Sequence, residues 1–583
     1  MSRSYLPFSR RLGFLVLIVA AVCGLVGIGV FLTQERTPAT TSATEEDSPT
    51  PGIPWFVDVA KSAGIDFVHF DPATESHFIQ ETMGSGLGWI DYDRDGWPDL
   101  FCVQDGPVRP KSGGPAPTHK LYRNNRDGTF TDVTIEAGLA HAGFGQGCAV
   151  GDSDNDGYDD LLVTYFGGVK LFHNNRNGTF TDVTGASKLH NPHWGTSCGW
   201  GDIDGDGFLD LYVCNYVEVD IDRYPVCEVE GKRFVCPPPS FPHVSDRLFR
   251  NNGDGTFTDI TVSSGVASAP AAPGLGVVLT DLDGDGKLDI YVANDLKPQY
   301  LFHNLGGNRF EEKGTLSGCG LGPFGQPVSG MGVEAFDADG SGRPSLFVTN
   351  FQNEPNVLYR NRGGVKFQEA SSAAGLARPS IDRLGFGTVM IDADQNGLPD
   401  LAVANGHIHR NAEVIYRASY AQLAQLFVGS GKGTFQDVSH QAGAYFRQKR
   451  VGRGMAWADF DCDGKPDLAI NHVGGPVALL HNRTVTENGW IGFELIGDGK
   501  RSNRNAIGTR VEVETSFGTQ VRFVNGGGSY LSANERRVLI GLGTADRIIR
   551  VTVRWPSGVE QTFRDVATRR YWRLTEGAGK PES

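Results

Sequence analysis

Seven segments of this chain set acidic side chains at alternate positions around a glycine. The pattern DxDxDGxxD begins at Asp91, Asp152, Asp202, Asp281 and Asp459, and variants of it begin at Asp337 and Asp392. The intact copies supply Asp91, Asp93, Asp95 and Asp99; Asp152, Asp154, Asp156 and Asp160; Asp202, Asp204, Asp206 and Asp210; Asp281, Asp283, Asp285 and Asp289; and Asp459, Asp461, Asp463 and Asp467. One variant supplies Asp392, Asp394, Asn396 and Asp400, the other only Asp337 and Asp339, with Ser341 and Ser345 at the remaining positions. Four carboxylates within nine residues repel one another unless a cation lies among them, and hard oxygen donors suit Ca²⁺. The glycine at position 6 permits the bend and position 7 can lend its carbonyl. An EF-hand would place Glu at position 12, where this chain has Cys102, Val163 or Val213; a calcium loop on a β-hairpin is expected instead. One isolated copy would read as turn chemistry alone, since Asp and Gly are good turn formers. Repetition favours the metal. Six Ca²⁺ sites are expected, and the loop at Asp337 is expected to bind weakly or stay empty.

The elements that carry these loops repeat with them. Seven positions before each first Asp stands a glycine (Gly84, Gly145, Gly195, Gly274, Gly330, Gly385, Gly452), and five before stands glycine or, once, Ser197. Small residues there let backbones crowd, as near the axis of a ring. Apolar runs such as Leu161-Leu162-Val163 follow each loop and read as buried strands. Then come LYRNNRDGTFTDVT from Leu121 and its copies from Leu171 and Leu248, whose Asp127-Gly128, Asn177-Gly178 and Asp254-Gly255 are hairpin turns. Each unit is therefore an antiparallel meander, and radial closure protects its edges. The tail of the unit appears as FVDVAKSAGI at Phe56, before the first loop, and is missing after the last. The expected fold is all-β: a seven-bladed β-propeller over residues 54–487, its last blade completed by the strand near Phe56, then a smaller β-sandwich-like domain over 488–574 and a tail over 575–583.

The N-terminus carries Arg3, Arg10 and Arg11 before an uncharged apolar stretch from Gly13 to Leu32, long enough at about 1.5 Å per residue to cross a bilayer. Residues 1–12 are expected in the cytoplasm, 13–32 as a transmembrane signal anchor and 33–53 as a flexible linker. The body then lies in the periplasm or outside the cell, membrane-tethered, or secreted if the signal is cleaved. Of nine cysteines eight lie beyond the anchor; Cys227 and Cys236 bracket a short loop and are expected to pair, while Cys148 and Cys198 share one repeat position and read as buried thiols. The formal net charge is −15, but residues 497 to 573 hold 14 Lys plus Arg against 7 Asp plus Glu. The acidity elsewhere is largely that of the loops, and the balance excludes a general nucleic-acid binder.

At the Asp loops the chain resembles FG-GAP/VCBS repeat proteins, whose fold resembles the integrin α propeller. Beyond them, AIGTRVEVETSFGTQVRFVNGGGSYLS from Ala506, GLG at Gly541 and VRWPSG at Val553 resemble an ASPIC/UnbV domain. Together they resemble the bacterial relatives of cartilage acidic protein, a family whose resemblance implies no reaction. Independently, Ile549, Val551, Val553 and Trp555 alternate with Arg550, Thr552 and Arg554 as in a half-buried strand. The outward arginines could meet an anionic ligand or the acidic propeller, or simply face solvent. Asn525-Gly526-Gly527-Gly528-Ser529-Tyr530 reads equally as a close approach to a ligand and as a tight connection.

No GxSxG, HExxH or CxxC occurs, and the GSGKGT run from Gly429 aligns with the hairpin turns of other repeats. His407 and His409 share a strand face but lack a third metal ligand. The expected function is a calcium-binding adhesion scaffold for a protein or glycan ligand on a propeller face, monomeric and without nucleic acid. The alternative is an accessory enzyme of cell-surface or secondary metabolism, with chemistry in the propeller channel or at the domain junction.

Overall fold

The computed structural model describes residue 50 and residues 52–109, 116–229 and 231–582. The expected span 13–32 and its cytoplasmic flank lie outside them; among the described residues no helix is long and apolar enough to cross a membrane.

Each Asp loop joins two antiparallel strands, because the apolar runs on either side of it pair. In the second repeat Gly145–Gly151 pairs with Asp160–Tyr165, which pairs with Gly168–Asn174 and then Phe180–Asp182. All seven repeats form such sheets, with strands in sequence order from inside to outside in the first six. The seventh is made of Gly452–Ala458, Asp467–His472, Ala478–Asn482 and, from the other end of the chain, Phe56–Asp58. Phe56 lies opposite Asn482 and Asp58 opposite Leu480. The innermost strands touch in cyclic order, and those starting at Leu87 and Gly452 also touch each other. The fold is all-β and consistent with a propeller. Crowding explains the repeated glycines: a Cβ on Gly454 would come 2.6 Å from the Gly86 Cα, and one on Gly387 would come 2.6 Å from the Arg453 carbonyl oxygen.

In six of the seven repeats one asparagine stitches neighbouring sheets. Its side-chain amide donates to the carbonyl at position 2 of the preceding loop: Asn174 to Tyr92, Asn251 to Ser153, Asn304 to Ile203, Asn361 to Leu282 and Asn482 to Ala393, all within 2.9 Å. Asn124 makes the closing bond to Phe460 at 2.8 Å and a second bond to Pro98 at 3.1 Å. The sixth repeat has Gly429 at this place and lacks the stitch. Asn124→Ala would leave two buried carbonyls unpaired at about 1–3 kcal/mol in all. The expected result is a lower urea midpoint at unchanged slope; a midpoint within error of the parent would show that the closing seam does not need the bond.

The C-terminal residues form a four-stranded sheet in the order Gly518–Phe523, Arg510–Thr515, Ile548–Arg554, Glu560–Phe563, and a three-stranded sheet of Val538–Gly543, Gly489–Ile496 and Tyr571–Thr575. Their core is continuous with that of the repeats, since Ile507, Val524 and Trp555 pack in one cluster with Trp200, Leu209 and Leu288. The expected alternation fails at one residue. Ile549 is exposed because a register shift between Glu514 and Thr515 displaces the start of its strand, whereas Val551, Val553 and Trp555 are buried as expected.

Residues 525–534 do more than turn the chain: they enter the middle of the seven sheets and bond to every one. Ala533 bridges Gly88, the Leu531 carbonyl accepts from the Cys148 N–H, and the Leu531 N–H donates to Ser197 Oγ. Gly526 and Gly527 pair with Leu279 and Val278 as a fifth strand. Ser529 pairs with Val333, its hydroxyl accepts from the Thr388 N–H and it donates to the Met455 carbonyl. The Cys227–Cys236 disulfide is present, with Cα atoms 5.4 Å apart, and Cys148 and Cys198 are buried free thiols.

Candidate metal centre

The loops are shaped by their own carboxylates. The first Asp of each loop accepts the backbone N–H of position 6 and in most loops that of position 5, as Asp91 does from Asp95 and Gly96 at 2.9 and 3.0 Å, and Asp459 from Asp463 and Gly464 at 3.0 and 2.8 Å. The ninth Asp ties the loop to two strands: Asp99 accepts from Tyr92 N–H and Asn124 N–H, and Asp210 from Ile203 N–H and Asn251 N–H. The fifth Asp meets a cation. Asp95 pairs with Arg126 at 2.6 Å, Asp156 with Arg176 at 2.5 Å and Asp206 with Arg250 at 2.6 Å, while Lys287 reaches Asp285 and Lys465 reaches Asp463.

Even so, the oxygens outnumber the donors. Asp93 Oδ1, Asp204 Oδ1 and Asp392 Oδ1 are buried without any hydrogen-bond partner. One oxygen from each of Asp91, Asp93 and Asp99 lies within 4.8 Å of the others, and the same holds for Asp152, Asp154 and Asp156 and for Asp202, Asp204 and Asp206. Burial, with mutual repulsion added, pushes Asp91 up to about 7, Asp152 to about 8 and Asp459 to about 8. Burial would raise Asp285 and Asp461 too, but Lys287 and His481 outweigh it and hold both below the usual carboxylate range. Converging oxygens with orphaned lone pairs fit a hard divalent cation.

The variant loops differ as their sequences require. In the loop from Asp337 the hydroxyl of Ser345 replaces the ninth carboxylate and accepts from Asn361 N–H at 3.3 Å, so negative charge is lower there. In the loop from Asp392, Asn396 donates to Asp394 at 3.1 Å, and Asp392 accepts from Gly541 N–H at 3.1 Å. C-terminal residues reach other loops as well: Tyr571 donates to Asp459 Oδ2 at 2.6 Å, and Arg536 pairs with Asp159 at 2.5 Å. Several of the C-terminal arginines thus meet the acidic loops.

Residues 91–163, 152–213, 240–292 and 281–348 match the family described as FG-GAP-like repeat, and residues 499–581 match the one described as ASPIC and UnbV. The chain carries FG-GAP-like repeats and a C-terminal ASPIC/UnbV domain. Cartilage acidic protein 1, which has this architecture, is homologous to it: the Mus musculus protein is 26% identical over 364 residues, covering 61% of this chain and 50% of its own length. The Homo sapiens protein is 25% identical over 394 residues, covering 56% and 57%. The chain spans about half the length of these relatives. A solved Agrocybe aegerita lectin that recognises non-reducing terminal N-acetylglucosamine overlaps 69% of this chain and 94% of its own, at 15% identity and a TM-score of 0.40.

Within the FG-GAP-like repeats, histidines not singled out from sequence sit beside the carboxylates. His173 Nδ1 is 3.0 Å from Asp160 Oδ1, His303 Nδ1 is 3.0 Å from Asp289 Oδ1, and His481 Nε2 is 3.0 Å from Asp461 Oδ2. All three precede the stitching asparagine, where other repeats carry Arg123, Arg250 or Arg360. That shared basic position was the available signal.

Proposed function

We propose that the FG-GAP-like repeats close as a seven-bladed, calcium-stabilised propeller, exported and held at a membrane by the N-terminal apolar stretch, that serves as a binding scaffold for protein or glycan ligands. Six loops hold Ca²⁺ and the loop at Asp337 contributes little. The observation that carries the calcium is the orphaned, buried oxygen in three separate loops. The scaffold reading draws on the domain pair and on residues 525–534, whose backbone takes the axial space in which a propeller enzyme would place its substrate. The test is retention of glycans or envelope proteins by the exported body with calcium present. Turnover of a retained ligand, abolished by one substitution, would replace the scaffold by an enzyme.

Protons and calcium compete for the same carboxylates. In the metal-free fold burial raises Asp91, Asp152, Asp202, Asp392 and Asp459 from the usual carboxylate range to about 6 to about 8. The unfolded chain therefore loses these protons first, and metal-free stability falls as pH rises from about 4 toward about 8. Calcium reverses this slope. The melting shift produced by calcium is expected to grow between about pH 5 and about pH 8, with proton release on binding; a shift independent of pH in calorimetry would contradict the assignment.

A further inference from the structure

At the strand ends remote from the Asp loops lies a second site of different chemistry. Tyr216, Asp295, Phe351 and Ile408 follow the second strands of four repeats, and Met83, Leu275, Met331 and Phe386 stand at the starts of innermost strands. Together they enclose a cavity of about 190 Å³. The insertion that carries the Cys227–Cys236 disulfide covers part of it with Phe234, Val235 and Pro237. Tyr416 stacks on His409 with ring centroids 5.2 Å apart, and Phe234 meets the same imidazole edge-on at 5.8 Å.

The walls are apolar and aromatic, yet two carboxylates enter them. Asp295 accepts from the Tyr216 hydroxyl at 2.7 Å and Glu354 from the Ser329 N–H at 2.7 Å. Both also interact with the Ser329 side chain, which brings them to one wall. Neither has a cationic partner among the described residues: burial raises both, and Glu354 is raised further by Asp295 itself. The neighbouring guanidinium is spent elsewhere. Arg453 lies 4.0 Å from the Phe386 ring centroid and donates to the carbonyls of Thr82, Gly406, Gly452 and His407.

His409 makes the independent case for a ligand. It lines the cavity, is 3% exposed, and its Nδ1 has no hydrogen-bond partner. Burial lowers its pKa to about 4, so the ring is neutral and, in the Nε2–H tautomer, Nδ1 is an acceptor. Two uncompensated acids and a free acceptor lining one aromatic cavity ask for a donor that is also a cation.

We propose that this cavity binds a small organic amine with an aromatic or apolar body, its ammonium directed to Glu354, Asp295 and His409. The apolar body lies against Met83, Met331 and Phe351, and the ammonium supplies the positive charge that the carboxylates lack. The assignment is independent of the calcium loops.

Phenethylamine, 2-phenylethanol and phenylacetate are matched in shape and differ in charge. Calorimetric titration of the full chain is expected to give saturable binding of one phenethylamine per chain, at least tenfold weaker binding of the alcohol, and none of the acid. Glu354→Gln is expected to weaken phenethylamine about tenfold while changing the alcohol little, and His409→Leu to weaken both. Equal affinity for the amine and the alcohol, no saturable binding of the amine at millimolar concentration, or an amine affinity unmoved by both substitutions overturns the proposal. The ligand series on the unsubstituted chain decides the matter should either variant fail to fold.

Discussion

Removing divalent ions with a chelator is expected to lower the melting temperature by roughly 7 to 15 °C relative to protein in about 10 mM calcium. Loops facing an extracellular medium need dissociation constants of only about 10⁻⁴ to 10⁻³ M. At about 10 mM calcium each occupied loop then adds about 1.4 to 2.7 kcal/mol, and six loops acting independently add roughly 8 to 16 kcal/mol. An unfolding entropy near 2.1 cal/mol/K per residue across Ser48–Ser583 converts that to the stated shift. The loss follows from geometry: without a cation the orphaned oxygens of Asp93, Asp204 and Asp392 stay buried beside like charge. Differential scanning calorimetry, with metal content measured on the same sample, is the check. Coincident melts with and without chelator, and no bound metal, would remove calcium from the account.

The second large effect concerns residues 525–534. A Cβ on Gly86 would overlap the Leu531 carbonyl oxygen, and one on Gly526 the Trp200 carbonyl oxygen, so neither position accepts even alanine without displacing main chain. Gly86→Ala is expected to cost about 4 kcal/mol or more, the range of substitutions that break buried backbone packing. The relief is expulsion of the inserted segment. Tyr530 and Leu531, both fully buried in the parent, then become accessible to chymotrypsin, with cleavage faster by about three orders of magnitude where it tracks the open population. Gly185→Ala, at an exposed site with nothing within 4 Å, is the neutral comparison. Unchanged cleavage in Gly86→Ala would mean that the segment is not held by these contacts.

The loops, the hairpin turns and the displaced strand at Phe56 were legible in the sequence because repetition sets the register: seven aligned copies separate the constant Asp and Gly positions from their variable neighbours. The Cys227–Cys236 pairing was legible because the loop between them is short. The insertion of 525–534 was not, since glycine-rich sequence is compatible with any close approach and its seven partners lie 70 to 450 residues away. The stitching asparagines stood in plain view in every LYRN-type segment but one, yet their acceptors belong to the neighbouring repeat and carry no side-chain signature. At the loops, residue types could not show that the first and ninth carboxylates are largely engaged by backbone N–H groups, so that the orphaned oxygens fall mainly to the third position. Ile549 is exposed because it is the unpaired, bulged residue of its own strand, between Ile548 opposite Thr515 and Arg550 opposite Glu514, and the bulge leaves no mark in the residue types.

The pairing of Phe56–Asp58 with Ala478–Asn482 also sets a timetable for biosynthesis. At about 5 to 20 residues per second, the interval between synthesis of Phe56 and of its partner Asn482 is roughly 20 to 85 s. Throughout that interval the earliest strand to emerge has no mate and the nascent domain exposes two sticky borders. The half-built intermediate is therefore aggregation-prone, and a holdase that shields those borders would raise the yield of folded protein more than one that acts on the finished protein.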